Sequence, residues 1–101
     1  MRVQVMMSFG CGHGQQTLEM VREVVRILAP SAQVEAIAVN TAEEAERLGF
    51  PGSPTVLVNG VDIDPDRRAG VGLGGRLYGL AGVPPRNTIE SALRSARRES
   101  E

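Results

Sequence analysis

The segment Gln15–Leu28 constrains the fold most strongly, because its apolar residues recur at intervals of three and four positions. That spacing predicts an α-helix with one buried face. Apolar residues largely alternate with polar ones before and after this segment, which predicts strands over Arg2–Ser8 and Gln33–Val39. Two strands joined through a helix are expected to run parallel in one sheet, since the helix carries the chain back to its starting edge.

A capping pattern predicts a second, shorter helix. Thr41 and Glu44 stand three residues apart, as in a capping box, where each side chain accepts a hydrogen bond from the other residue's backbone N–H. Gly49 is expected to end this helix, because glycine readily takes the left-handed conformation of a helix terminus.

The C-terminal half predicts a β-hairpin, a long loop and a closing helix. The β-prone runs Thr55–Val58 and Val61–Ile63 flank Asn59-Gly60, a dipeptide that strongly favours a two-residue hairpin turn. We interpret the glycine-rich segment Asp64–Gly82 as a flexible loop that covers either one sheet edge or the chain's single cysteine. Pro84-Pro85 then precedes a helical pattern.

Together these elements predict a single α/β domain over residues 1–101, in the order β-α-β-α-β-β-α. Two parallel strands joined to an antiparallel hairpin would form a central four-stranded mixed sheet with helices on both faces.

The composition argues against several functional classes. The net charge of −1 gives no reason to expect nucleic acid or an anionic membrane as partner. No apolar run approaches the roughly 18 residues of a membrane span, and the first apolar segment lacks a signal-peptide cleavage site, so we expect a cytoplasmic protein. One cysteine and one histidine cannot complete a structural zinc site, so we expect no metal, and no cofactor is indicated.

Cys11 is the candidate nucleophile. It lies in the turn Phe9–Gly14, between the first predicted strand and helix. The free N–H groups and partial positive charge of a helix start stabilise an anion, so the reactive thiolate is favoured there. His13 would add a charge or a hydrogen bond if its ring faced the sulfur, whereas an exposed, solvated histidine is the alternative. Cys11 is alternatively a small apolar residue left over from a dithiol ancestor.

Three short segments of the chain resemble the thioredoxin superfamily, and more narrowly small bacterial members of it, some of which are described as alkylmercury lyase-like. They are Gly10-Cys11, Gly52-Ser53-Pro54-Thr55-Val56 and Gly82-Val83-Pro84-Pro85. Their order and spacing extend the resemblance over nearly the whole chain. It implies a thioredoxin-like fold in which Cys11 is the catalytic thiol.

The resemblance also implies a substrate-binding surface, formed by Gly12, His13, Gly14, Ser53, Pro54 and Thr55. A cis Ser53–Pro54 bond would lie beside Cys11, and the backbone of Ser53 would pair with an extended peptide or with glutathione. A plain turn proline is the alternative interpretation of Pro54.

The sequence departs from dithiol enzymes at the resolving cysteine. Gly14 occupies the second cysteine position of a Cys-x-x-Cys motif, and Gly75 occupies another place where such relatives carry a cysteine. A cysteine introduced at position 14 is expected to lie one helical turn from Cys11 and to pair with it.

Two functions remain open at this point. In the first, Cys11 performs thiol-disulfide exchange as a monothiol oxidoreductase, and glutathione or a thiol of a partner protein resolves the mixed disulfide. In the second, the domain is redox-inactive and uses the Pro54 groove and the glycine-rich loop to bind a peptide or protein partner. The reactivity of Cys11 discriminates between them.

Overall fold

A computed structural model of the protein describes residues 1–68 and 70–100. The elements are, in chain order, β1 (Arg2–Ser8), α1 (Gly12–Leu28), β2 (Gln33–Val39), α2 (Ala42–Leu48), β3 (Pro51–Ser53), β4 (Thr55–Val58), β5 (Val61–Asp62), a 3₁₀ turn (Pro65–Arg67), β6 (Gly72–Gly75) and α3 (Arg86–Ser100).

The central sheet has four strands in the order β2-β1-β4-β5. β1 runs parallel to β2 and antiparallel to β4, and β4 and β5 form the hairpin around Asn59-Gly60. The predicted mixed α/β architecture is therefore confirmed. A second, two-stranded parallel sheet pairs β3 with β6 and was not predicted from the sequence.

Side chains of the central sheet alternate between two apolar layers. On one face, Val3 and Val5 of β1 pack against α1 and α3. On the other face, Met6 packs with Ala45 of α2 and with Phe50. Complete burial of a valine or phenylalanine side chain contributes about 1.5–3 kcal/mol. Helices thus cover both faces, as the element order predicted.

Gly49 directs Phe50 into the second layer. It takes a left-handed conformation, with φ 62°, at the end of α2. The Phe50 N–H then donates to the Ala45 carbonyl at 2.8 Å. The prediction that Gly49 ends this helix is confirmed. The turn that it makes directs the fully buried phenyl ring of Phe50 toward the sheet.

The first helix begins three residues earlier than its apolar spacing predicts, at Gly12 rather than Gln15. Glycine is a poor helix former, so the sequence around Gly12 and Gly14 does not predict this first helical turn. As a consequence, Cys11 is the N-cap residue of α1.

The prediction of a flexible loop over Asp64–Gly82 is wrong for the described part of that segment. It contains the 3₁₀ turn, β6 and an isolated bridge between Tyr78 and Ala81. The side chains of Arg76 and Tyr78 are buried. Long-range contacts to these two residues give the segment an order that its glycines do not indicate.

No helix among the described residues combines the length and the apolarity that crossing a bilayer requires.

Candidate functional site

Cys11 lies where the chain passes from β1 into α1. Its N–H donates to the Ser8 carbonyl at 3.2 Å, and its carbonyl accepts from the Gly14 N–H at 3.1 Å. The side chain is half-buried and makes no capping hydrogen bond. The first turn of the 17-residue helix carries no acidic residue, so no carboxylate there offsets the helix dipole.

An open, shallow cavity of about 400 Å³ adjoins the thiol. Gly10, with φ 78°, takes the conformation that lets the chain turn sharply after β1. The preceding Phe9 is 92% exposed. The cavity is lined by Met7, Ser8, Phe9, Gly10, Cys11, Gly12, Gln15, Ala38 and Asn40. Of the six residues implied to bind substrate, only Gly12 lines it together with Cys11.

Gly14 is buried against Met7 and leaves no room for a side chain. A Cβ atom built on Gly14 would lie 2.7 Å from Met7 Cβ and 3.0 Å from Met7 Sδ. The nearer atom, Met7 Cβ, is bonded directly to the backbone of β1, so rotation of the methionine side chain cannot relieve the overlap. A cysteine at position 14 would therefore require the strand or the helix to shift before it could pair with Cys11.

His13 packs toward the segment that leads into α3. A Cβ atom built on Gly82 would overlap with His13 Nδ1 and would lie 2.6 Å from Cε1, so the imidazole ring lies directly against Gly82. The side chain is otherwise exposed. The main-chain carbonyl of His13 accepts a hydrogen bond from Thr17 Oγ1 at 2.7 Å, within the first turns of α1.

Residues 52–56, the proline loop, are joined to residues 9–14, the cysteine turn, through one side chain. Ser53 Oγ accepts a hydrogen bond from the Ser8 N–H at 3.0 Å, and the Ser8 carbonyl in turn holds the Cys11 N–H. The two segments therefore lie at the same end of the sheet. The Ser53–Pro54 bond is cis, as the resemblance implied.

The proline loop is nevertheless covered by the protein itself. Ser53, Pro54 and Thr55 are buried. The Ser53 carbonyl accepts the Arg76 N–H at 2.8 Å, and Thr55 Oγ1 donates to the Gly52 carbonyl at 2.6 Å. An extended ligand could use the Ser53 carbonyl only if the residues after β6 moved away.

Arg76 is the main feature of this region that the sequence analysis missed. Its side chain is fully buried, and all five of its N–H donors are used. Nη1 and Nη2 donate to the two carboxylate oxygens of Asp62 at 2.9 and 2.8 Å. The remaining donors bind Thr55 Oγ1 and the carbonyls of Asp64 and Arg67.

Tyr78 extends this network to the proline loop. The Arg76 guanidinium lies 4.6 Å from the centre of the phenol ring, and the Tyr78 hydroxyl donates to the Pro54 carbonyl at 2.6 Å. Burial raises the pKa of the phenol above its ordinary value; the Arg76 charge opposes this shift, and the Asp62 and Asp64 carboxylates add to it. The signal available in the sequence was the chain's single tyrosine, two residues after an arginine, within a glycine-rich segment.

Comparison of the sequence with protein-family models and with curated proteins finds no match.

Proposed function

We propose that this protein is a thioredoxin-like domain that performs thiol-disulfide exchange through Cys11. The fold assignment is supported by the strand order β2-β1-β4-β5, in which parallel β1 and β2 join an antiparallel hairpin. It is also supported by the resemblance of the cysteine turn and the proline loop to that superfamily.

The position of Cys11 carries the functional proposal. A thiolate at the N-cap of a long helix lies next to free N–H groups and the positive end of the helix dipole. The adjoining cavity gives a second molecule access to the sulfur. The thiolate is the species that attacks a disulfide, so this placement favours exchange.

The reaction that fits one thiol uses glutathione twice. The Cys11 thiolate attacks the glutathione sulfur of a mixed disulfide between glutathione and a protein, and the protein leaves as a thiolate. A second glutathione thiolate attacks the new disulfide, which releases glutathione disulfide and restores the Cys11 thiolate. The chain contains one cysteine, so the second step requires an external thiol.

Substrate access is expected from the cavity rather than from the proline loop. The Ser53 carbonyl is already paired with Arg76, whereas Phe9 and the thiol border open space. A substrate would therefore contact the turn at Gly10 and the end of β2.

The test compares the thiol in the folded and the unfolded protein. The rate at which Cys11 forms a mixed disulfide with glutathione disulfide is measured by mass spectrometry, first in buffer and then in denaturant. We expect the folded protein to react faster, because only the folded state places the sulfur at a helix start. The Cys11→Ser variant has no thiol and gives the background signal. A folded thiol that reacts more slowly than the unfolded one would refute the proposal.

A redox-inactive binding module is the second candidate. It is favoured by Phe9 and Leu80, which are 92% and 103% exposed. Because Ser53 and Pro54 are covered, a partner would contact these exposed side chains rather than the Pro54 groove. Under this alternative, Cys11→Ser would leave partner binding intact, and the folded thiol would show no rate advantage.

A further inference from the structure

Residues 76–78, which we call the strap, fill the hydrogen-bonding positions of the proline loop one after another. The Ser53 carbonyl accepts the Arg76 N–H at 2.8 Å. The Pro54 carbonyl accepts the Tyr78 hydroxyl at 2.6 Å. Two successive backbone carbonyls of the proline loop are therefore already bound by the protein's own chain.

The strap continues β6, so it occupies the proline loop as a paired strand would. β6 runs parallel to β3, with Gly75 opposite Ser53, and the Arg76 N–H adds the next hydrogen bond to this ladder. An extended polypeptide adds to a sheet through main-chain hydrogen bonds of the same kind. A polypeptide substrate that paired with Ser53 would therefore have to displace the strap from it.

Side-chain contacts hold the strap more firmly than a backbone ladder alone would. Arg76 is fully buried, and its guanidinium forms the ion pair with Asp62. Tyr78 is also buried, and its ring centre lies 4.6 Å from that guanidinium. A polypeptide that displaced the strap would leave the Asp62 carboxylate without its partner. Because the strap is tethered, it also competes at an effective concentration of about millimolar or more.

The strap closes one approach to the thiol and leaves the other open. The strands lie in the order β2-β1-β4, so the proline loop, which leads into β4, and β2 lie on opposite sides of β1. The cavity beside Cys11 reaches Ala38 and Asn40 at the end of β2, and no strap residue lines it. Its volume of about 400 Å³ is within the range of small-ligand pockets, about 300–1,000 Å³.

We propose that the strap makes the thiol selective for low-molecular-weight disulfides and excludes disulfides within extended polypeptides. This inference rests on the proposed function and names its substrate class. The Cys11 thiolate attacks the nearer sulfur of the small thiol in the cavity, the original S–S bond breaks, and the other sulfur leaves as a thiolate with the electron pair of that bond. A mixed disulfide of glutathione and a protein meets this condition, because the attacked sulfur belongs to the small partner.

The test compares two disulfides that share a leaving group and differ in chain length. One is N-acetylcysteine amide joined to 2-nitro-5-thiobenzoate, and the other is a capped peptide of about ten serine, threonine and glycine residues with one central cysteine, joined to the same group. Attack on the cysteine sulfur releases the coloured thiobenzoate thiolate, and mass spectrometry identifies the adduct. We expect the folded protein to react with the small probe about tenfold faster or more, and the unfolded protein to react with both at similar rates.

Variants that loosen the strap should reduce this preference. Tyr78→Phe removes the hydrogen bond to Pro54, and Arg76→Met removes the side-chain anchor. Each variant, once circular dichroism shows that it is folded, should react severalfold faster with the peptide probe and at an unchanged rate with the small probe. Leu77→Ala is the matched control, because Leu77 lies between these residues with a side chain that is 62% exposed, and it should keep the wild-type ratio.

The outcomes separate this inference from the proposed function. If the folded wild type reacts equally fast with both probes, or if folded Tyr78→Phe keeps the wild-type preference, the strap does not set specificity, whereas exchange through Cys11 still stands. Tyr78→Phe decides this point where Arg76→Met does not fold. If the folded protein reacts with neither probe faster than the unfolded protein does, the proposed function fails and this inference fails with it.

Discussion

The guanidinium of Arg76 and the carboxylate of Asp62 form a two-point ion pair, with N–O distances of 2.8 and 2.9 Å, and the backbone N–H of the same Arg76 covers the Ser53 carbonyl. The Arg76 side chain has no solvent exposure and that of Asp62 has 10%. A buried charge of this kind depends on its partners, because water cannot replace them.

Removing the arginine side of this pair should destabilise the fold. Arg76→Met leaves the Asp62 carboxylate nearly buried without its partner, a change that typically costs about 3–5 kcal/mol. Urea unfolding measures the loss. Arg68→Met, an exposed arginine of the same segment, should change the free energy of unfolding by no more than about 0.5 kcal/mol. Equal effects of the two substitutions would contradict a structural role for Arg76.

Two glycines at the start of α1 should respond in opposite directions to alanine. Gly14→Ala places a Cβ atom against Met7 and should destabilise the protein by about 1–3 kcal/mol. At Gly12 the same change meets no atom within 4 Å, so the better helix propensity of alanine should leave stability unchanged or raise it by up to about 1 kcal/mol. The free energies of unfolding of both variants are measured by thermal or urea denaturation. A stabilising Gly14→Ala would show that the helix does not pack against Met7 as described.

Stability should fall in alkaline solution because of Tyr78. Its folded-state pKa is raised above the ordinary value near 10, so the unfolded protein releases the phenolic proton first as the pH rises. The protonated phenol therefore makes its full contribution to the free energy of unfolding below about pH 10. Above that pH the free energy of unfolding falls by about 1.4 kcal/mol per pH unit. Unfolding free energies measured across this range should show the slope in the wild type.

The control for this pH dependence is Tyr78→Phe. It keeps the ring beside Arg76 but removes the titrating group, and the chain has neither a second tyrosine nor a lysine to titrate in the same range. An identical alkaline loss in both proteins would assign the effect to another group. At neutral pH the variant should be less stable by about 1–3 kcal/mol, since the Pro54 carbonyl loses its buried donor.

His13 should be dispensable for the reactivity of Cys11. Its ring lies against Gly82, so His13→Ala should leave the rate of Cys11 alkylation at neutral pH unchanged. The rate is followed with iodoacetamide and mass spectrometry, and Cys11→Ser reports background labelling. A severalfold slower reaction in His13→Ala would instead assign the imidazole a role at the thiol.

The predictable parts of the structure were those determined by local pattern. The apolar spacing of Gln15–Leu28 predicts α1, the Thr41 capping box is present with Glu44 N–H donating to Thr41 Oγ1 at 3.1 Å, and Asn59-Gly60 forms the hairpin turn. Each signal depends on residues within a few positions of one another. The local pattern placed Cys11 in the turn before this helix, but not at its N-cap, because the helix begins at Gly12 rather than at Gln15.

The unpredicted parts depend on contacts between distant residues. Arg76 is ordered by Asp62, 14 positions away, and by Thr55, 21 positions away, neither of which is marked by any periodicity. The covering of Ser53 by the segment after β6 follows from the same contacts. The steric role of Gly14 was likewise invisible, because it depends on Met7 in a neighbouring element.

The Arg76 network gives the protein a cross-link that contains no sulfur. One side chain joins the proline loop strand, the hairpin arm and the turn that follows it, as a disulfide staple would in a secreted domain of this size. A structural disulfide would itself undergo exchange in solutions rich in thiols and disulfides. An ion pair is neither reduced by thiols nor oxidised by disulfides, so the structure around Cys11 should be the same under reducing and oxidising conditions.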